Sequence, residues 1–208
     1  MKVEELETEL GRRMDRRDHA GAATLAIRGY GSEIFGFLVA FHRDGEDAAE
    51  VFSRFSERLW RDLPAFRGDS SFRTWAYALA RHASLNYRRD AARRQGRLDP
   101  LPQDSSHAAY LAEVRTETAS YLRSQRVARF TAIRESLPPE DQALLVLRVD
   151  RGLAWNDLAL VMHAGDPPLA GDDLKREAAR LRKRFQLLKQ RLLELGRKAG
   201  VVTAGDER

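Results

Sequence analysis

The sequence has no cysteine in its 208 residues, so disulfide frameworks and thiolate metal sites are excluded. It has only five histidines, and no two of them have the spacing of metal ligands, as in HxxxH. Apolar runs long enough to cross a bilayer are also missing. We therefore expect no metal, no other cofactor and no membrane partner.

The motifs of common catalytic sites are missing as well. The chain contains no GxSxG, P-loop, HExxH or glycine-rich phosphate loop, so we expect no enzymatic activity. Residues 1–18 are charged throughout and have no apolar core, which is unlike a secretory signal. The expected location is the cytoplasm, and residues 1–18 are predicted to be mobile, with no assignable role.

What the sequence does contain is an uneven distribution of charge. The net charge is +5, and arginine is concentrated between residues 73 and 97. Arginine and lysine are concentrated again between residues 175 and 198, while acidic residues dominate 44–57. Two separated basic zones indicate two contacts with nucleic acid.

The residue pattern predicts an all-α fold. Runs of alternating β-branched residues are nearly absent, and Ala, Leu, Arg and Glu, which favour helix, dominate. Helices are expected over 20–42 and from about residue 46 to 63. A turn follows, in which Asp69 or Ser70 would cap a third helix.

The third helix, residues 72–89, is the most informative segment. Its apolar residues recur every three or four positions and form a buried stripe: Phe72, Trp75, Ala76, Leu79, Ala80, Ala83 and Tyr87. Trp75 and Tyr87 fit this stripe better than a base-stacking role. Polar residues elsewhere on the helix are the candidates for reading an unstacked base and for holding phosphates.

The second half of the chain has the order of a helix-turn-helix unit. Residues 98–109 form a linker, and LPPEDQALLVLRV predicts a helix that Gly152 ends. A short helix burying Leu158, Ala159 and Met162 follows, and then a loop. The last helix would bury a heptad stripe made of Leu174, Ala178, Leu181, Phe185, Leu188, Leu192 and Leu195, and would lie in the major groove with basic residues near phosphates.

These segments together resemble the extracytoplasmic-function sigma factors, the minimal branch of the sigma-70 family. The likeness is carried by FRGDSSFRTWAYALARHASLNYRR within 47–89, and more loosely by 137–162 and 174–192. The resemblance implies two small helical domains, a region-2 bundle and a region-4 helix-turn-helix, joined by a linker. The implied parts are an extension 1–24, region 2 at 25–97, a linker 98–125, region 4 at 126–198 and a tail 199–208.

The resemblance also implies partners and sites. Region 2 would bind the β′ clamp helices of RNA polymerase core and melt the minus-ten element of promoter DNA. Region 4 would bind the β flap and the minus-thirty-five element. The implied DNA-binding residues are Arg73, Arg81, His82, Asn86, Arg88, Arg89, Lys175, Arg176, Arg180 and Arg184. The implied polymerase-binding residues are Asp47, Glu50, Ser53, Arg54 and Glu57. An anti-sigma factor is a common further partner in the family.

Two features depart from the family pattern. Ser53-Arg54 stands where relatives carry Gln-Glu, so Arg54 would reverse a charge that faces the polymerase. We hypothesise that core binding is weakened or conditional, and that a Ser/Thr kinase restores negative charge at Ser53 or Ser56. The segment HAGDPPLAG is also long for the turn of a helix-turn-helix, which makes the minus-thirty-five assignment the weakest part of the resemblance.

Two other functions fit part of the pattern. A helix-turn-helix regulator that acts without polymerase would use only 137–195 and would leave the helix 72–89 without a role. A sigma mimic would hold the polymerase without reading promoters. Arg54 and the long loop are the two features that keep this second alternative open.

Overall fold

The chain folds into two compact units, which divide between Thr116 and Glu117. The computed structural model describes residues 2–94, 132–163 and 169–198. Within these ranges the regular elements are all helical, as the sequence predicted. The predicted linker 98–125 and tail 199–208 lie outside the described residues. None of the described helices has the length and apolar character needed to cross a membrane.

Four helices and a short 3₁₀ turn build the described part of the first unit. They are α1 (Val3–Asp15), α2 (His19–His42), α3 (Gly45–Asp62), the 3₁₀ turn Leu63–Ala65 and α4 (Phe72–Arg94). The helices predicted from residues 20, 46 and 72 are therefore confirmed. The prediction that residues 1–18 are mobile was wrong, because Leu6 and Leu10 of α1 are buried, at 3% and 1% exposure.

Gly29 explains how closely α1 packs against α2. A Cβ atom at this position would lie 2.3 Å from a methyl carbon of Leu6, well inside van der Waals contact. A larger residue at position 29 would require the Leu6 side chain to shift. Gly29, which would ordinarily weaken α2, thus allows Leu6 of α1 to pack closely against it.

The start of α4 is fixed by a cap from Ser71. The Ser71 hydroxyl accepts a hydrogen bond from the Thr74 backbone N–H at 3.1 Å, which is the geometry of an N-cap. The sequence-based choice of Asp69 or Ser70 as the cap was therefore wrong. The correct residue lies one or two positions further along the same turn.

A second cap of α4 comes from a distant part of the chain. The Glu7 carboxylate of α1 accepts hydrogen bonds from the backbone N–H groups of Phe72 and Arg73, both at 2.9 Å. It also accepts a hydrogen bond from the Tyr30 hydroxyl at 2.5 Å. Burial and this hydrogen bond both raise the pKa of Tyr30. One carboxylate therefore connects α1, α2 and the start of α4.

Burial changes along α4. The predicted stripe is confirmed at Phe72, Ala76, Leu79, Ala80 and Ala83, which are all buried. Other positions as far as Ser84 are buried too, because neighbouring helices cover more than one face of α4. From Asn86 onward most residues are exposed or half-buried. The helix thus has an enclosed first part and an exposed end.

The described part of the second unit contains the helical residues 132–135 and three further helices. The three helices are α5 (Pro139–Leu145), which continues as the π-helical turn Val146–Asp150, then α6 (Trp155–Met162) and α7 (Gly171–Lys198). Gly152, at φ +67°, follows the π-helical turn as predicted, since glycine adopts this conformation without strain. Residues 164–168 of the predicted loop lie outside the described residues.

The core of the second unit confirms part of the heptad prediction. Ala178, Leu181 and Leu188 of α7 are buried, at 3% exposure or less. Phe185, Leu192 and Leu195 are partly buried and pack against a cluster formed by Leu137, Leu145 and Leu188. The apolar stripe of α7 therefore packs within its own unit.

Replacing Glu7 with alanine should destabilise the first unit by about 2–4 kcal/mol, the sum expected for a lost helix cap and a buried hydroxyl left without its acceptor. Urea unfolding of the isolated protein, followed by circular dichroism, measures this change. Glu4→Ala is the matched control, because Glu4 is an exposed acid of the same helix. Equal unfolding midpoints for the two variants would contradict the assigned role of Glu7.

Candidate nucleic-acid and polymerase interfaces

The exposed end of α4 carries three of the predicted DNA-binding residues. Asn86, Arg88 and Arg89 are all exposed. The Arg89 guanidinium donates to the Asn86 side-chain carbonyl. The Arg88 guanidinium lies 5.5 Å from the ring centroid of Phe41 in α2, a cation–π distance. Two arginines and an amide are thus presented together, as phosphate and base-edge contacts require.

Arg73 does not belong to this group. Its guanidinium donates two hydrogen bonds to the Glu33 carboxylate of α2, at 2.8 and 2.9 Å. The two side chains are only 18% and 15% exposed. The Glu33 hydrogen bond raises the pKa of Arg73, so the guanidinium stays charged and paired. The contacts of Arg73 do not support its assignment to DNA, because the residue ties α4 to α2.

Arg81 is also misplaced for DNA contact. It is only 4% exposed, because it lies in the part of α4 that neighbouring helices cover. Its burial does not support the assignment of Arg81 to DNA binding. His82, the next residue, is half-buried and stays a prediction.

The polymerase-binding candidates on α3 are connected to the exposed end of α4. The Tyr87 hydroxyl donates to the Asp47 carboxylate at 2.5 Å. This hydrogen bond, with some burial, raises the pKa of Tyr87 to about 12. Asp47 therefore has a structural role that its charge alone did not reveal.

Arg54 is held inside the first unit by a chain of ion pairs. Its Nε donates to Glu50 at 2.9 Å, and one terminal nitrogen donates to Asp90 of α4 at 3.3 Å. The guanidinium lies 5.1 Å from the ring centroid of Tyr87, and its side chain is 25% exposed. The expectation that Arg54 presents an unbalanced positive charge was wrong, since two carboxylates of the same unit neutralise it.

The two candidate modification sites on α3 differ in access. Ser56 is 1% exposed, and its hydroxyl donates to the Phe52 carbonyl at 2.9 Å. A kinase cannot reach it in the folded domain, so the Ser56 part of the hypothesis was wrong. Ser53 is half-buried, and the nearby Glu57 is exposed. Trp60, also exposed at 42%, adds an apolar group to the open face of this helix.

The start of α7 carries three predicted DNA-binding residues in exposed ion pairs. Lys175 pairs with Asp172, Arg176 with Asp173, and Arg180 with Glu177, each pair three residues apart along the helix. Such exposed pairs contribute little stability. The three basic side chains can therefore exchange their carboxylate partners for phosphates, although the acids reduce the local positive charge.

Arg184 has a different environment. Its guanidinium donates to Asp141 of α5 at 2.7 Å, and this pair joins two helices of the second unit. Arg182 lies over the ring of Trp155 at 5.5 Å, on which Arg148 also packs at 4.7 Å. The Arg184 side chain is therefore engaged with Asp141, and its contacts do not support its assignment to DNA binding.

Sequence reasoning missed the acids that hold these arginines. Glu33, Asp90 and Asp141 are far in sequence from their partners, and no helical spacing connects them. Asp90 did have a signal, since it is the only acidic residue in the arginine-rich stretch 73–97. An isolated acid in a basic run suggests an internal ion pair. Glu7 had no comparable signal.

Comparison with known proteins gives a family match for part of the chain and several similar chains. Residues 26–94 match the family model of sigma-70 region 2. The chain is similar to the RNA polymerase sigma-H factor of Pseudomonas aeruginosa, with 29% identity over 78% of this chain and 86% of the relative. It is also similar to the ECF RNA polymerase sigma-E factor of Haemophilus influenzae, with 26% identity over 68% of this chain and 76% of that relative. For the sigma-E factor of Escherichia coli K12, the identity is 26% over 60% of this chain and 67% of the relative.

The difference between the two serines is directly testable. Ser56→Asp should destabilise the first unit by about 3 kcal/mol or more, because it places a charge in a packed core. Ser53→Asp should change the unfolding free energy by less than about 1 kcal/mol, as expected for a half-buried position. Thermal unfolding of both variants measures the difference. If Ser56→Asp were as stable as Ser53→Asp, the burial of Ser56 would not restrict modification.

Proposed function

We propose that the chain is a sigma factor of the extracytoplasmic-function branch of the sigma-70 family, which directs RNA polymerase core to specific promoters and assists in melting them. The observation that carries the proposal is the difference in burial between the two ends of α4. This helix lies within the region-2 match, is enclosed by its own unit as far as Ser84, and presents Asn86, Arg88 and Arg89 beyond it. The protein would act in the cytoplasm, with the polymerase, and without a catalytic reaction of its own.

The proposed polymerase contact is the open face of α3. Glu46 and Glu57 are exposed, Glu50 is half-buried, and Trp60 adds apolar area. An acidic helix face with one large aromatic group suits a basic partner surface, because aromatic anchors and complementary charge favour association. We assign this face to the β′ clamp helices. Pairing of Arg54 within the unit removes the main reason to expect weak core binding, and with it one argument for a sigma mimic.

The proposed promoter contacts come from both units. The exposed end of α4 would hold melted minus-ten DNA, with Arg88 and Arg89 at phosphates and Asn86 near a base edge. In the second unit, Lys175, Arg176 and Arg180 would contact phosphates of the minus-thirty-five element while the unit binds the β flap. The heptad stripe of α7 faces its own core, which supports a helix presented to DNA rather than a dimer seam.

Regulation by another protein fits the same face of α3. An anti-sigma factor would compete with the polymerase by covering it. Ser53 stays the candidate for a Ser/Thr kinase, since a phosphate there would add about two negative charges beside Glu50 and Glu57.

The direct test is reconstitution with bacterial core polymerase. The protein should co-purify with core and give discrete run-off transcripts on sheared genomic DNA of the source organism. Binding without transcripts would favour a sigma mimic. Failure to bind core, combined with binding of duplex DNA alone, would favour the helix-turn-helix regulator.

Substitution of the exposed arginines separates DNA contact from docking. The double variant Arg88→Ala, Arg89→Ala should lower the rate of open-complex formation by at least about ten-fold, since two charge-assisted phosphate contacts are lost. Its affinity for core should stay within about two-fold, because α3 is unchanged. Permanganate reactivity of melted thymines and fluorescence anisotropy with core measure the two quantities.

Arg28→Ala is the matched control for this variant, because Arg28 is an exposed arginine of α2. The control should behave like the wild-type protein in both measurements. Parallel loss of core affinity and promoter melting in the double variant would contradict the separation of α3 and α4 roles.

A further inference from the structure

We propose that Arg54 is a positioning residue for the DNA-facing end of α4, rather than part of the polymerase contact. The inference rests on the proposed function and deepens it. Arg54 of α3 is the residue that reaches both Tyr87 and Asp90, and these two flank Arg88 and Arg89. A side chain on the docking helix thus holds the segment that carries the DNA contacts.

The end of α4 depends on such a contact because apolar packing stops before it. Ala83 and Ser84 are the last buried residues of the described side chains in this helix. Beyond them, α3 holds α4 through the Asp47–Tyr87 hydrogen bond and the Arg54–Asp90 ion pair. From α2, the ring of His42 meets Tyr87 at 5.6 Å, edge to face. Polar and ring contacts therefore determine the direction of the final turns.

The geometry of Arg54 suits this role better than a lysine would. Its Nε bonds Glu50 while a terminal nitrogen bonds Asp90, and its planar face lies over the Tyr87 ring. A guanidinium makes all three contacts at once because it is flat and has donors in several directions. The hydrogen bond to Glu50 holds the Arg54 side chain on α3 in the orientation that contacts Asp90.

The Arg54–Asp90 ion pair should affect promoter opening more than core binding. Loss of the Arg54–Asp90 ion pair leaves the docking face of α3 in place. The exposed end of α4 can then move over a wider range of positions. Core binding should then be retained, while capture of melted DNA becomes slower. This combination distinguishes positioning from docking, because a residue that repelled the polymerase would change core affinity when removed.

The test uses Arg54→Met, which keeps the apolar stem over Tyr87 and removes the charge, and Asp90→Asn, which alters the partner. Each should slow open-complex formation roughly five-fold, and the double variant should be no slower than either alone, as expected for residues that act as one pair. Core affinity of Asp90→Asn should stay within about two-fold of the wild-type value, because Asp90 lies on α4 and not on the docking face of α3. Arg54→Lys should recover part of the rate.

Arg58→Met is the matched control. Arg58 lies one turn further along α3 and pairs with Asp62 of the same helix, so its loss removes an ion pair without releasing α4. It should leave the rate of open-complex formation unchanged. If Arg54→Met raised core affinity and left this rate unchanged, Arg54 would be a docking residue and the proposal would be overturned.

A second measurement needs neither polymerase nor DNA. Because the chain has no cysteine, spin labels can be attached at Glu57→Cys in α3 and Ala91→Cys in α4, both exposed positions. Pulsed electron paramagnetic resonance should give a broader distance distribution with Arg54→Met than with Arg58→Met. Equal distributions would overturn the proposal even if the wild-type protein initiates transcription. A broad distribution without any initiation by the wild-type protein would instead contradict the proposed function.

Discussion

The Glu7 carboxylate is the interaction on which the first unit depends. It satisfies two backbone N–H groups at the start of α4 and the buried hydroxyl of Tyr30. Helix termini leave such groups without intrahelical partners, and burying them unpaired is costly. The carboxylate resolves this problem for α4 and at the same time joins α1 to α2. A helix that lies outside the family match at 26–94 thereby fixes the start of the helix proposed to melt DNA.

The two ends of α4 differ in burial and in the contacts that hold them. Its first part is enclosed, and arginines there serve the fold, as the Arg73–Glu33 pair does. Its last part is held by α3 through polar contacts and leaves Arg88 and Arg89 exposed. The proposed sites for docking on the polymerase and for capture of DNA thus lie on two helices that contact each other. Under the proposal for Arg54, a disturbance of α3 would reach the exposed end of α4 through this side chain.

Local patterns in the sequence predicted the helices well, because they depend on spacing within about one or two turns. The helix starting at Phe72 and the short helix burying Leu158 are examples. The roles of individual arginines could not be predicted in the same way. Arg73, Arg54 and Arg184 find their acids 40, 36 and 43 residues away, and nothing in helical periodicity specifies such partners. The resemblance implied that α4 meets DNA, but only the packing separated the structural arginines of this helix from its exposed ones.

The central claim is that the end of α4 meets promoter DNA while its start is enclosed by the domain. A photo-crosslinking amino acid at Asn86, compared with one at Thr24 on the exposed surface of α2, tests this claim most directly. In the presence of core polymerase and a promoter identified by run-off transcription, position 86 should crosslink to the minus-ten element, and position 24 should not. Equal crosslinking from both positions, or none from position 86 in an open complex, would contradict the account.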